Sequence, residues 1–262
     1  MRSRLVALIV AASAVAIGIA GAGSPTVDAT GRAASAEQLA AELVANDAAL
    51  RAAIDAWRSD EDPPSAEPPA EVMDGSRYLQ ETVRTLVRKR SLARNVLRRL
   101  PAKLSSQIRS LTVAQRDLVK LSNGWPPHDV ETGKPEPLAN LSGYYDEAHD
   151  RHGIHQHYLA AINLVESKFG RVKNDSVAGA QGPMQFIPST WEIYGGGGNI
   201  QDPHDAILAA ANLLRDNGAP GDYRRALRAY NNSELYVDAV RRYARQIKRD
   251  RYAIYFLYCF GP

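Results

Sequence analysis

The spacing of apolar residues in the first half of this chain is the feature that most narrows what it can fold into. Within residues 36–58, apolar side chains recur at intervals of three, four and seven, in the order Leu39, Leu43, Leu50, Ile54 and Trp57. This spacing places them on one face of a helix, and the alanine-rich filler between them favours the helical state. We therefore predict an amphipathic helix that buries this face against a second element.

A second stripe, over residues 76–100, predicts that element. Its apolar residues are Leu79, Val83, Leu86, Ala93, Leu97 and Leu100. Pro101 should stop or kink the helix, and a further helix should continue the stripe beyond it. A proline-rich linker, residues 60–75, separates the two stripes.

The two stripes carry opposite charge. Residues 37–74 hold ten acidic against two basic side chains, and residues 77–116 hold eleven basic against one acidic side chain. Because neither stripe is wide enough to be stable alone, we expect a helical hairpin or coiled-coil-like region over residues 36–122. The alternative is that residues 77–116 bind an anionic partner, either a wall polymer or a membrane surface. The net charge of the whole chain is only +3, which gives no reason to expect nucleic acid binding.

The N-terminal segment, residues 1–22, has the features of a secretory signal peptide. Arg2 and Arg4 precede an uncharged run from Leu5 to Ala20, and small residues follow the run. A cleaved signal would deliver the protein to the cell wall or the exterior of the envelope, whereas an uncleaved one would anchor it in the membrane. Cys259 is the only cysteine of the sequence, so no internal disulfide can form.

Residues 123–137 contain four prolines among polar residues, and this composition predicts a linker. The domain that follows, residues 138–262, shows short helical patterns divided by glycine and proline. No run in it alternates convincingly between apolar and polar residues, as a strand would. We therefore expect an all-α domain.

Glu166 closes an apolar helical pattern that includes Tyr158, Ile162 and Val165. The helix dipole disfavours a negative charge at this end, and partial burial would raise the pKa of the carboxyl group. Such a group is a candidate general acid. The alternative is a solvated surface carboxylate, which is the more common environment for glutamate.

The segment after Glu166 contains residues suited to ligand contact. Gly182 lets the backbone approach a ligand closely, Met184 and Phe186 offer apolar surface, and Gln185 offers an amide for sugar hydroxyl or acetamido groups. Three motifs then stand in order: Glu166-Ser167, Gly182-Pro183-Met184-Gln185 and Ala229-Tyr230-Asn231. Together they resemble the signatures of the lytic transglycosylase catalytic domain, a lysozyme-like all-α fold related to goose-type lysozyme. The resemblance covers roughly residues 140–247 and does not extend to the helical region before them.

The resemblance implies a reaction and a set of site residues. It implies cleavage of the β-1,4 bond between N-acetylmuramic acid and N-acetylglucosamine in peptidoglycan, with formation of a 1,6-anhydro ring and with no cofactor or metal. Glu166 is then the catalytic acid and base. The implied substrate-binding residues are Ser167, Gly182, Met184, Gln185, Phe186, Tyr230 and Asn231.

Two other functions remain open from the sequence. A hydrolytic muramidase would use water and a second carboxylate, for which Asp175 is the candidate. A non-catalytic wall-binding module would keep the fold without turnover. Four nearby histidines (149, 152, 155 and 157) could suggest zinc, but Gly153 interrupts them and the spacing matches no zinc motif, so we expect solvated side chains.

Overall fold

The computed structural model describes residues 35–59, 61–122 and 130–262. The predicted signal peptide and residues 123–129 of the predicted linker lie outside the described residues. The described residues form eleven helices and no β-strand, which confirms the all-α prediction. The helices are α1 (Ala36–Trp57), α2 (Ala70–Arg88), α3 (Arg90–Leu97), α4 (Ala102–Ser122), α5 (Leu138–His152), α6 (Gln156–Ser167), α7 (Pro188–Tyr194), α8 (Pro203–Asp216), α9 (Tyr223–Tyr230), α10 (Glu234–Arg249) and α11 (Ala253–Tyr258).

Helix α1 begins at a capping box and packs along α2 and α3. The Ser35 hydroxyl accepts a hydrogen bond from the Gln38 backbone N–H, and the Gln38 side chain accepts one from Ser35 in return. The predicted stripe residues Leu39, Leu43, Leu50 and Ile54 are all buried. The apolar faces of α1 and α2 therefore meet, as the hairpin hypothesis requires.

The opposite charges of the two stripes do not hold them together. Among the described residues, no ion pair joins α1 to α2 or α3. The α1 acids are used elsewhere: Asp47 pairs with Arg51 within α1, and Asp55 pairs with Arg251 near the other end of the chain. The helices associate through apolar burial, and the basic side chains of α3 keep their charge free.

The second stripe forms two helices rather than one, and it starts earlier than the sequence indicates. Pro69, the last proline of the predicted linker, precedes α2, so residues 70–75 are helical. The helix ends at Arg88, because Lys89 leaves the helical conformation with φ −106° and ψ 78°, and α3 begins at Arg90. No glycine or proline marks this break. It lets Ala93 and Val96 of α3 become buried beside α1.

Helix α10 connects the two halves of the described chain. One side of α10 packs against α4 and another packs against α6, and α11 packs against α2. Arg51 of α1 binds both carboxylate oxygens of Asp250, which directly follows α10, at 3.0 and 2.8 Å. The N-terminal helices therefore contact the second half of the chain mainly through α10 and α11. No helix among the described residues has the length and apolarity needed to span a lipid bilayer.

Candidate active site

Glu166 lies near the C-terminal end of α6, in a stretch where every residue from Leu159 to Ser167 is buried. Its side chain has 0% exposed surface. The Tyr236 hydroxyl, from the first turn of α10, donates a 2.6 Å hydrogen bond to Glu166 Oε1. The other oxygen, Oε2, is buried and has no hydrogen-bond partner among the described residues. One side of the carboxyl group is thus held by the protein, and the other side is free to act on a ligand.

This environment keeps the carboxyl group protonated at neutral pH. Burial raises the pKa of Glu166 from an ordinary 4.5 to about 8, and this effect exceeds the lowering by the Tyr236 hydrogen bond and the Lys168 charge. The sequence left open a solvated carboxylate or a partly buried acid, and the structure shows complete burial. A protonated carboxyl with an unpaired oxygen has the properties of a general acid.

Ser167 fixes the loop that carries the second motif. Its hydroxyl donates a 2.6 Å hydrogen bond to the Pro183 carbonyl and accepts a 2.8 Å bond from the Gly170 backbone N–H. The chain can return toward α6 because Lys168, Phe169 and Gly170 all have positive φ, at 54°, 60° and 79°. Ser167, which the resemblance implied to be a substrate-binding residue, instead uses its hydroxyl to join the end of α6 to the Gly182–Phe186 loop.

The Gly182–Phe186 loop packs tightly against the rest of the domain. Gly182 has φ 74°, and a Cβ atom at this position would lie 1.9 Å from the Ile200 carbonyl oxygen, so only glycine fits. Met184 and Phe186 have no exposed surface. The Gln185 amide nitrogen donates to the Gly182 carbonyl at 3.0 Å, while its Oε1 atom is buried without a partner.

The third motif ends α9 and contacts both other motifs. The Tyr230 hydroxyl donates a 2.6 Å hydrogen bond to the Met184 carbonyl, and its ring lies parallel to the Tyr236 ring at a centroid distance of 6.3 Å. Asn231 is 2% exposed, and its Nδ2 atom is buried without a partner. Contacts therefore run from Glu166 through Tyr236 and Tyr230 to the Gly182–Phe186 loop.

Three polar side-chain atoms of this site have no hydrogen-bond partner among the residues that the structure describes: Glu166 Oε2, Gln185 Oε1 and Asn231 Nδ2. Buried polar atoms in folded proteins are nearly always hydrogen-bonded, and an unpaired one costs about 1–3 kcal/mol. One of these atoms lies on each of the three predicted motifs, where it is available to bind a ligand that enters the site. A carboxyl proton, an amide oxygen and an amide N–H together suit the hydroxyl and acetamido groups of an amino sugar.

The sequence prediction missed Tyr236. Tyr236 lies one turn before the buried Val240 and shares its face of α10. A tyrosine on a buried face needs a partner for its hydroxyl, and this requirement could have pointed to a nearby carboxyl group.

The other candidate groups lie apart from these contacts. Asp175 is exposed and accepts a 2.9 Å hydrogen bond from Gln181. In the part of the chain that the structure describes, the side chains whose donor atoms converge within 4.8 Å are Asp202, His204 and Asp205. Asp202 caps α8 and Asp205 accepts from the Asn199 backbone N–H, so both carboxylates already hold local structure.

An all-helical fold around a buried acid is what the predicted lysozyme-like domain requires. The family model for the Transglycosylase SLT domain matches residues 143–253, and this segment contains every predicted site residue. The match confirms the predicted recognition and gives this domain a peptidoglycan-related function. The comparison with curated proteins and the comparison with solved structures each gave no match.

Proposed function

We propose that this protein is a secreted lytic transglycosylase that cleaves the β-1,4 bond between N-acetylmuramic acid and N-acetylglucosamine in peptidoglycan. The observation that carries the proposal is the Glu166 carboxyl group, which is buried, held on one oxygen by Tyr236 and free on the other. With a pKa of about 8, it carries its proton at neutral pH. The cell wall is the proposed site of action, to which the predicted signal at residues 1–22 would deliver the enzyme.

The first half of the reaction uses Glu166 as an acid. The protonated carboxyl group gives its proton to the glycosidic oxygen while the bond from this oxygen to C1 of the muramic residue breaks. Positive charge develops at C1, and the acetamido oxygen of the same sugar stabilises it. Tyr236 stabilises the carboxylate that is left, because its hydroxyl donates to Oε1.

The second half uses the same group as a base. The Glu166 carboxylate takes the proton of the muramic C6 hydroxyl, and this oxygen forms a bond to C1. The ring closes as the 1,6-anhydro sugar, and Glu166 is protonated again. No water enters the products, so the reaction is a lyase-type cleavage by intramolecular attack of the C6 hydroxyl and not a hydrolysis.

Substrate entry requires local movement, because the Glu166 carboxyl group has no exposed surface in the structure. The loop of residues 195–200 is the element we propose to move. Gly196 and Gly197 have positive φ, and a Cβ atom at either position would meet no neighbour. Ile200, at the end of this loop, contacts Gly182. Motion of the loop would loosen the Gly182–Phe186 loop and open a path to the carboxyl group.

The alternative function, a hydrolytic muramidase, requires a second carboxylate that orients water. In the described structure, the charge that acts on the Glu166 pKa is the Lys168 ammonium group and not another carboxylate. Asp175, the candidate from the sequence, is exposed and paired with Gln181. These observations favour attack by the C6 hydroxyl. A non-catalytic module would have no need for a buried, unpaired acid, which is costly to keep.

Mass spectrometry of fragments released from purified peptidoglycan tests the proposal. The full chain should release products that end in 1,6-anhydromuramic acid, one water lighter than hydrolysis products. Glu166→Gln should release none, while Glu192→Gln, which alters an exposed glutamate of the same domain, should behave as the parent protein. Reducing muramic ends that still depend on Glu166 would establish the muramidase instead. Release of neither product by the parent protein would leave the binding module.

A further inference from the structure

Helix α3 and the residues that flank it carry an exposed set of cations without acidic partners among the described residues, although Arg98 donates a 2.6 Å hydrogen bond to Asn95 Oδ1. Arg88, Lys89, Arg90, Arg94 and Arg98 are all exposed. None of the five forms an ion pair with a described residue. The sequence pattern placed acidic residues 37–74 opposite this basic stretch, but two of the α1 acids, Asp47 and Asp55, pair with Arg51 and Arg251 instead.

Three of these side chains form a row. Arg90, Arg94 and Arg98 are spaced by four residues, and Arg98 keeps helical backbone angles at the end of α3. Residues four apart lie on the same side of a helix and about 6 Å apart along its axis. We call Arg90, Arg94 and Arg98 the arginine row. Guanidinium groups in such a row can bind successive anionic groups of a polymer, each through paired N–H donors.

We propose that the arginine row is a docking surface for peptidoglycan strands, separate from the catalytic site. This proposal rests on the proposed function, since the polymer in question is the substrate. The peptide stems of peptidoglycan carry carboxylates at regular intervals. The polymer therefore presents repeated negative charges that complement the positive charges of the arginine row. None of the row residues contacts the Glu166 site, so the surface adds a second attachment to the same polymer.

This second attachment explains why the cations remain unpaired. A cluster of like charges repels itself and gives the folded chain no stability, so its retention in exposed positions suits a role in binding. Attachment through such a surface depends on ionic strength, because salt screens exposed charges. The second attachment strengthens the binding of long or insoluble strands. Short soluble fragments gain nothing from it, because they cannot reach both surfaces.

Co-sedimentation with insoluble peptidoglycan tests the proposal in the Glu166→Gln background, where no turnover can interfere. The triple variant Arg90→Gln, Arg94→Gln and Arg98→Gln should bind about tenfold more weakly at low salt, from about 0.5 kcal/mol for each lost contact. A matched control removes the same charge from exposed, unpaired positions of the second half, through Arg225→Gln, Arg245→Gln and Arg249→Gln. This control should bind as the parent does.

The other outcomes separate the alternatives. Equal loss in the control would mean that only net charge matters, and unchanged binding by the row variant would overturn the proposal. Binding that disappears when phosphate polymer is stripped from the wall, or row-dependent binding only to vesicles of anionic lipid, would assign the row to a different partner and also overturn it. A row variant that fails to fold is replaced by salt titration of the parent protein, whose binding should weaken steadily. With Glu166 intact, turnover of short soluble glycan fragments should not change in the row variant.

Discussion

The burial of Glu166 makes a quantitative prediction about stability. In the folded protein the pKa of this group is about 8, whereas in the unfolded chain it returns to about 4.5. Between these two values the folded state holds a proton that the unfolded state releases. Stability therefore falls as pH rises through this window, and below pH 4.5 the effect is absent.

Glu166→Gln removes this dependence, because glutamine has nearly the same shape and does not titrate. Each pH unit above 4.5 is worth about 1.4 kcal/mol, so the variant should be more stable than the parent by about 3 kcal/mol at pH 7. For a chain of this size the corresponding rise in Tm is about 6 to 12 °C. The two proteins should have the same stability near pH 4, and the variant should have no activity.

Thermal unfolding followed by circular dichroism, repeated at intervals from pH 4 to pH 8, measures the difference. Titrating groups common to both proteins cancel when the two curves are subtracted. Glu192→Gln is the control, because the Glu192 side chain is exposed and its replacement removes no buried carboxyl group. A stability difference that is independent of pH, or a variant that becomes less stable than the parent as pH rises, would refute the assignment of a buried, protonated Glu166.

Three further changes have distinct expected results. Tyr236→Phe removes the hydrogen bond to Glu166 Oε1, so the pKa of Glu166 should rise by about one unit and the alkaline fall of kcat/KM should move to higher pH; an unmoved pH profile would contradict this. Gly182→Ala places a Cβ atom 1.9 Å from the Ile200 carbonyl oxygen, so we expect loss of activity and an unfolding free energy, measured by urea denaturation, that is lower by more than about 2 kcal/mol. Parental stability would show that the loop adapts. Asp175→Asn should leave turnover unchanged, and a loss of more than about tenfold would restore Asp175 as a second carboxylate.

The helices of the first half could be predicted from the sequence because they depend on local spacing. The stripe of α1 becomes buried as its intervals of three and four require. The break at Lys89 could not be predicted, since no glycine or proline marks it and it is compensated by the packing of Ala93 and Val96. The charge pattern also could not predict the ion pairs, because it does not specify which acidic side chain contacts which basic side chain.

The candidate site also has parts that local sequence motifs predict and parts that depend on tertiary packing. Glu166 and the Gly182–Phe186 loop were found through motifs, which are local in sequence. The Tyr236 hydrogen bond joins residues 70 positions apart, so it depends on how α10 lies across α6. Burial of Glu166 to 0% exposure depends on the same packing. A sequence read along one chain can identify the acid, but its surroundings follow from tertiary structure.

The joining of α1 and α2 to the last described residues has a consequence for how the chain folds. Arg51 contacts Asp250 across 199 positions, and Gln80 exchanges two hydrogen bonds with Gly261 across 181 positions. Contacts between residues so distant in sequence have a high entropic cost of loop closure. They slow the folding of a helical protein, in which most contacts join residues that are close in sequence. During synthesis the first two helices emerge early, yet these contacts of theirs form only when α11 has been made. Arg51 and Gln80 therefore remain without these partners until residues 250–261 have been made.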